Sequence, residues 1–109
     1  MRDRYIALIP AYEPEQKLVS LAADLKKRGF DIVVVDDGSG SGYREIFDEL
    51  TQQATVLTHA QNRGKGAALK TGMRYINKYM AYTESVLTAS GGETVSGRDA
   101  VIVTVDADG

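Results

Sequence analysis

The sequence predicts an α/β domain of three layers, α/β/α, built around a mostly parallel sheet. Short apolar runs alternate with amphipathic helical runs, and most of the apolar runs are continuous rather than alternating. Strands that are buried on both faces of a sheet give continuous runs of this kind. Helical connections then make the strands parallel, because each right-handed crossover returns the chain to the same end of the sheet.

The apolar runs predict four strands and one long surface loop. The strands are expected at residues 5–9, 32–35, 55–58 and 100–105, with Pro10 ending the first of them. The glycine- and serine-rich segment at 90–98 predicts the loop.

Three amphipathic helices are expected to connect the strands. Pro14 marks the start of the first helix, because proline is tolerated in a first turn, and Gly29 is its predicted left-handed cap. The second helix carries apolar residues at helical spacing after a cap at Ser41 or Gly42. The third helix is expected over about residues 67–82.

The composition indicates one folded domain over residues 1–109, with 43% hydrophobic and 26% charged residues. A formal net charge of -2 gives no reason to expect a nucleic-acid partner. The sequence has no cysteine, which excludes a disulfide scaffold and thiolate metal sites and fits a cytoplasmic protein. No apolar stretch approaches the roughly 20 residues of a membrane span.

Polar clusters follow each of the four predicted strands. They occupy residues 10–14, 36–42, 62–66 and 106–109. Ligands of open parallel sheets bind outside the carboxyl ends of the strands. We therefore expect the four clusters to form one binding site at that edge.

Asp106 and Asp108 directly follow the fourth predicted strand. Two carboxylates this close repel each other unless a cation or solvent offsets their charge. Mn²⁺ or Mg²⁺ prefers such oxygen ligands and would bridge them to a diphosphate. On these residues alone, a solvated turn is an alternative, as is a haloacid-dehalogenase-like phosphatase with Asp106 as nucleophile and Asp108 as acid and base.

Two other clusters also have a binding and a structural interpretation. Asp36 and Asp37 follow the second strand, where a carboxylate accepts hydrogen bonds from a ribose or a base, or forms an Asx turn. The loop at 62–66 combines cations and glycines before a helix, which suits either a bound anion or a solvated surface. His59 has no partner pattern, so a structural role is expected.

Taken in order, four motifs extend over essentially the whole chain. They are Ile9-Pro10-Ala11-Tyr12, Val34-Val35-Asp36-Asp37-Gly38-Ser39, Asn62-Arg63-Gly64-Lys65-Gly66-Ala67-Ala68-Leu69 and Val105-Asp106-Ala107-Asp108-Gly109. This set resembles family 2 glycosyltransferases, the inverting, GT-A-fold group that includes dolichyl-phosphate-mannose-synthase-like enzymes. The resemblance implies the Rossmann-like, nucleotide-binding half of a GT-A fold. It also implies metal-dependent transfer of a sugar from a nucleoside-diphosphate sugar to an acceptor.

The resemblance suggests roles for the residues that match these motifs. The nucleotide-binding candidates are Pro10, Ala11, Tyr12, Glu13, Asp36, Asp37, Gly64, Lys65 and Asp106, and the metal candidates are Asp106 and Asp108. Of the aspartate pair, Asp37 is the preferred contact to the base or ribose. Glu13 is included only as a partial substitute, because Glu13-Pro14 stands where the family often has Asn-Glu.

Inverting transfer also needs a general base, which the resemblance implies beyond Gly109 in an acceptor-binding half. We therefore expect a truncated N-terminal part of a catalytic domain that binds the donor but does not catalyse transfer. Surface exposed by truncation would favour self-association, and any membrane contact would come from the missing sequence. A non-catalytic nucleotide-binding module is a further alternative, and the donor base, sugar and acceptor stay open.

Overall fold

The computed structural model describes residues 4–80, 86–88 and 100–107. The predicted loop at 90–98 and the residues Asp108 and Gly109 lie outside these ranges. In chain order the elements are β1 (Arg4–Ala11), α1 (Lys17–Lys27), β2 (Asp31–Asp36), a 3₁₀ turn (Ser41–Tyr43), α2 (Arg44–Leu50), β3 (Thr55–Thr58), α3 (Lys65–Tyr75), a π-helical turn (Ile76–Met80), β4 (Val86–Thr88) and β5 (Ala100–Thr104).

The strands form one five-stranded sheet in the order β3-β2-β1-β5-β4. All four strand pairs are parallel, which confirms the predicted fold class. Strand β4 is not predicted from the sequence, because a run of three residues is too short to show the alternation of a strand.

Helices cover both faces of the sheet, so the predicted three layers are confirmed. On one face α1 and α2 pack on β1 and β2 through Ala7, Ile9, Leu18, Ala22, Ile32, Val34, Phe47 and Leu50. On the other face α3 and the π-helical turn pack through Ile6, Leu8, Val33, Val35, Ala68, Ile76 and Ile102. Gly72 lets α3 approach β1 closely, because a Cβ there would collide with the side chain of Leu8.

Two boundaries near the N-terminus differ from the sequence prediction. Strand β1 continues past Pro10 to Ala11. Since β1 pairs with β5 only as far as Leu8, Pro10 lies where one side of the strand has no strand partner, and proline is tolerated there. Helix α1 begins at Lys17 rather than at Pro14, because Glu13 adopts a left-handed conformation with φ 48° that interrupts the chain before the helix.

The later helices also differ in their ends. Neither Ser41 nor Gly42 caps α2; both belong to the 3₁₀ turn, and Tyr43 is the residue before the helix. Helix α3 starts at Lys65, two residues earlier than predicted, and changes to a π-helical turn at Ile76. The predicted left-handed cap at Gly29 is confirmed by its φ of 93°. Within the residues described, no helix combines the length and apolar character needed to cross a bilayer.

Candidate functional site

A cavity of about 230 Å³ lies at the carboxyl edge of the sheet. Its lining comes from the ends of β1 and β2, the loop before α3 and the segment after β5: Pro10, Ala11, Tyr12, Asp37, Asn62, Gly64, Lys65 and Asp106. All four polar clusters of the sequence therefore contribute to one site. The parallel sheet explains this convergence, because the carboxyl ends of neighbouring strands lie side by side.

Two of the nucleotide-binding candidates do not line this cavity. Asp36 is buried, and its carboxylate accepts a hydrogen bond from the backbone amide of Ser39 (2.9 Å). The backbone amide of Glu13 donates a hydrogen bond to the Ser39 hydroxyl (2.8 Å). Ser39 thus connects the loop after β2 to the segment after β1.

The Asp37 carboxylate is buried and fully engaged by the protein. Its Oδ1 accepts from His59 Nδ1 (2.8 Å) and from the backbone amide of Arg63 (2.9 Å). Its Oδ2 accepts from Asn62 Nδ2 (3.1 Å) and from the backbone amide of Gly64 (2.9 Å). The side chain is 5% exposed. Asp37 therefore fixes the loop that leads into α3.

Hydrogen bonding outweighs burial in setting the charge of Asp37. Burial raises the pKa of the carboxyl. The hydrogen bonds from His59 and from the backbone amides of Arg63 and Gly64 lower the pKa by more than burial raises it, so the pKa lies below the usual 3.8. The group is ionised at neutral pH and acts only as an acceptor.

The loop after β2 and the loop before α3 touch at Gly38. This glycine has a φ of 76°, and a Cβ on it would collide with the backbone of Gln61 and Asn62. A residue with a side chain does not fit, for reasons of both space and conformation. The two loops form one wall of the cavity.

His59 is a partner of Asp37 that the sequence analysis did not find. Its predicted structural role agrees with its burial, with 7% of the side chain exposed. Both nitrogens of the imidazole ring form hydrogen bonds: Nδ1 with the Asp37 carboxylate, and Nε2 with Thr71 Oγ1 of α3 (2.7 Å). No local pattern could reveal these contacts, because the partners lie 22 and 12 residues away in sequence.

Lys65 and Asp106 make part of the cavity rim exposed and charged. Lys65, the first residue of α3, lies with its Nζ 3.9 Å from Asp106 Oδ2, and the two side chains are 63% and 59% exposed. The N-terminus of a helix carries a partial positive charge from its free backbone amides. Lysine and helix end together make this rim suited to an anion, while Asp106 offers an oxygen ligand beside it.

Metal binding concerns Asp106 and Asp108, of which only Asp106 is described. Within residues 4–80 and 100–107, no cluster of three or more His, Cys, Asp or Glu side chains could hold a metal ion. The chemistry of Asp106 fits Mn²⁺ or Mg²⁺, because its carboxylate is exposed at the cavity rim. Phosphate oxygens and water would have to supply further ligands.

Tyr12 forms the outer lip of the cavity and is 45% exposed. The charge of the neighbouring Glu13 carboxylate raises the pKa of the Tyr12 hydroxyl above its ordinary value of 10.0. The hydroxyl therefore stays protonated at neutral pH. A half-exposed aromatic ring at the edge of a cleft can stack on a planar ligand group.

A second cavity, of about 400 Å³, lies on the α2 side of the sheet beside β3. Asp36, Arg44, Phe47, Asp48, Thr58 and His59 are among its lining residues. It is distinct from the 230 Å³ cavity, with which it shares no lining residue.

Comparison with known proteins agrees with the order of the motifs. Residues 6–82 match the family described as Glycosyl transferase family 2. Two proteins of Methanocaldococcus jannaschii are similar. Uncharacterized protein MJ0544 is 35% identical over 81 residues, covering 68% of this chain and 35% of the relative. Uncharacterized protein MJ1222 is 32% identical over 109 residues, covering 99% of this chain and 37% of the relative.

The chain thus spans about a third of the length of these curated relatives. The family match itself extends from β1 to beyond the π-helical turn and includes three of the four segments that line the 230 Å³ cavity. With fold, site and match in agreement, the chain belongs to glycosyl transferase family 2.

Proposed function

We propose that the chain is the donor-binding part of a glycosyltransferase that transfers a sugar from a nucleoside-diphosphate sugar to an acceptor. The observation that carries this proposal is the 230 Å³ cavity, in which four separate segments of the chain meet. Family membership favours this activity over a phosphatase with Asp106 as nucleophile. It also favours an enzyme over a non-catalytic nucleotide-binding module.

The nucleoside occupies the inner part of the cavity in this proposal. Pro10, Ala11 and Tyr12 offer an apolar and aromatic surface for a base, and Asp37 lies beside them, with its backbone amide donating to the Ala11 carbonyl (2.8 Å). Since the Asp37 carboxylate already accepts four hydrogen bonds, a further contact to base or ribose would share an occupied oxygen. Asp37 supports the site chiefly by holding the loop at residues 62–64.

The diphosphate lies at the exposed rim in this proposal. Lys65 and the first turn of α3 supply positive charge. Asp106 supplies an oxygen ligand for Mn²⁺ or Mg²⁺, and Asp108 would supply a second one. A divalent cation held by Asp106 and Asp108 would supply positive charge to the nucleoside diphosphate as it departs. Lys65 stabilises the same charge, once it exchanges its contact to Asp106 for a contact to phosphate.

Donor binding without transfer is the expected behaviour of these 109 residues. Inverting transfer needs a carboxylate that removes the proton of the acceptor hydroxyl, and we propose that it lies outside this sequence. Sugar transfer by the chain itself, measured with UDP- and GDP-sugars, would contradict this part of the proposal.

Calorimetric titration of UDP and GDP, with and without Mn²⁺, tests the donor site. We expect one of the two nucleotides to bind in a metal-dependent manner, and Asp106→Ala to remove the metal dependence. Lys70→Ala is a matched control, since Lys70 is an exposed cation on α3 that does not line the cavity. Absence of binding by both nucleotides would contradict the proposal.

A further inference from the structure

The buried side chain of His59 joins three elements of the fold. The residue follows β3, its Nδ1 lies 2.8 Å from Asp37 Oδ1 after β2, and its Nε2 lies 2.7 Å from Thr71 Oγ1 in α3. Both ring nitrogens are therefore used, and only 7% of the side chain is exposed. Shape filling alone does not need this arrangement, since an apolar residue would fill the same space.

The proton of the ring has a defined position. The Asp37 carboxylate accepts hydrogen bonds and cannot donate when ionised, so Nδ1 of His59 must carry a proton. In the neutral ring Nε2 is then an acceptor, and the Thr71 hydroxyl donates to it. For the neutral ring, the order of donation therefore runs from Thr71 through His59 to Asp37.

Asp37 passes this constraint to the donor site. The Oδ1 atom that accepts the hydrogen bond from His59 also accepts one from the Arg63 amide, and Oδ2 accepts one from the Gly64 amide. These amides set the turn that brings Gly64 and Lys65 to the cavity. A carboxylate that lost its His59 donor could rotate, and the turn would lose its fixed acceptors.

We propose that His59 is a positioning residue for the donor site: it orients the Asp37 carboxylate, and thereby the turn at residues 62–65, without touching the nucleotide. It is absent from the residues lining the 230 Å³ cavity, as an indirect role requires. The inference rests on the proposed function for its effect on nucleotide binding. Its effect on the turn is independent of that function.

Two substitutions separate the two ends of the ring. In His59→Asn the side-chain amide can occupy the place of Nδ1, keeping the bond to Asp37 and losing the one to Thr71. In His59→Gln the longer side chain reaches the place of Nε2, keeping Thr71 and losing Asp37. We expect the nucleotide Kd of His59→Asn to lie within about twofold of that of the unsubstituted chain. We expect the Kd of His59→Gln to be roughly tenfold higher, as for loss of a hydrogen bond to a charged group.

Binding is measured by titrating UDP and GDP with Mn²⁺, and the turn is measured by hydrogen exchange of the Arg63 and Gly64 amides. Faster exchange of both amides in His59→Gln, with rates in His59→Asn close to those of the unsubstituted chain, would support the inference even if neither nucleotide bound. In that case the proposed function alone would fail. Equal exchange in the two variants would overturn the inference.

The unsubstituted chain provides a test that does not depend on the folding of a variant. The ¹⁵N chemical shifts of the His59 ring distinguish a proton on Nδ1 from one on Nε2. We expect Nδ1 to be protonated. A neutral ring protonated at Nε2 alone would overturn the inference, because Nδ1 could not then donate to Asp37.

Discussion

Asp37 and Asp106 both follow strands at the same edge of the sheet and line the same cavity, yet their surroundings differ completely. The Asp37 side chain is 5% exposed and accepts four hydrogen bonds from the protein. The Asp106 side chain is 59% exposed, and its ion pair with Lys65 spans 3.9 Å. One carboxylate holds the structure of the site together, while the other is exposed at the rim of the cavity.

The energetic consequences differ accordingly. A hydrogen bond to a buried charged group contributes about 1.5–3 kcal/mol, whereas an exposed ion pair contributes about 0–1 kcal/mol. Substitutions around Asp37 should therefore destabilise the fold, and substitutions around Asp106 should affect binding with little change in stability. The following four experiments test this contrast, beginning with the largest expected effect.

Gly38→Ala should cause the greatest loss of stability. The new Cβ would collide with the backbone of Gln61 and Asn62, in addition to straining a residue at φ 76°. We expect a loss of at least about 4 kcal/mol in the free energy of unfolding, or failure to fold. Urea denaturation followed by circular dichroism measures it. The control is Gly40→Ala, because Gly40 has a φ of 91° but open space around it. This variant should lose only about 1–2 kcal/mol in the free energy of unfolding. Equal losses would show that the contact between the two loops is unimportant.

Asp37→Asn should lower the free energy of unfolding by about 3 kcal/mol. The NH2 group that replaces one carboxylate oxygen cannot accept hydrogen bonds, and at the place of Oδ2 it would face the N–H donors of Asn62 and Gly64. The matched substitution Asp106→Asn should change stability by less than about 0.5 kcal/mol. It should weaken Mn²⁺-dependent binding of UDP or GDP at least roughly tenfold, as expected for loss of a metal ligand. Denaturation and calorimetry on both variants separate the effects. A stability loss as large for Asp106→Asn as for Asp37→Asn would contradict the contrast.

The contribution of Asp37 to stability should disappear in acid. Its pKa is lowered in the folded chain, because the hydrogen bonds it accepts outweigh burial. A group of this kind contributes fully above its unfolded pKa of about 3.9, and the contribution is lost as pH falls towards and through the folded pKa. The stability difference between the unsubstituted chain and Asp37→Asn should therefore be constant above about pH 5 and shrink below about pH 4. Denaturation at a series of pH values measures this difference, and a difference that stays constant in acid would exclude Asp37 as the titrating group.

Lys65→Ala should have only a small effect on stability, less than about 1 kcal/mol, because its ion pair is exposed. Binding of UDP or GDP should nevertheless weaken about tenfold, since a cation next to the diphosphate is lost. Lys70→Ala should leave both quantities unchanged. If the two variants bound equally well, Lys65 would have no special role at the rim.

The sequence predicts the edge of the sheet better than it predicts the details of the site. Strand periods and ordered clusters are local signals, and they indicate correctly that the segments containing residues 10–12, residues 62–65 and Asp106 contribute to one cavity. The bonds of His59 depend on tertiary structure, because Asp37 and Thr71 come close only after the sheet and α3 have packed. The left-handed Glu13 and the three-residue β4 are likewise set by context rather than by propensity.

The proposed function requires that the 230 Å³ cavity binds a nucleoside diphosphate. Titration of the ¹⁵N-labelled chain with UDP and with GDP in the presence of Mg²⁺ tests it most directly, through the backbone amide shifts. We predict shifts concentrated at Ala11, Tyr12, Gly64, Lys65 and Asp106 with at least one of the two nucleotides. Amide spectra unchanged by both nucleotides, or shifts confined to the 400 Å³ cavity between α2 and β3, would contradict nucleotide binding at the 230 Å³ cavity.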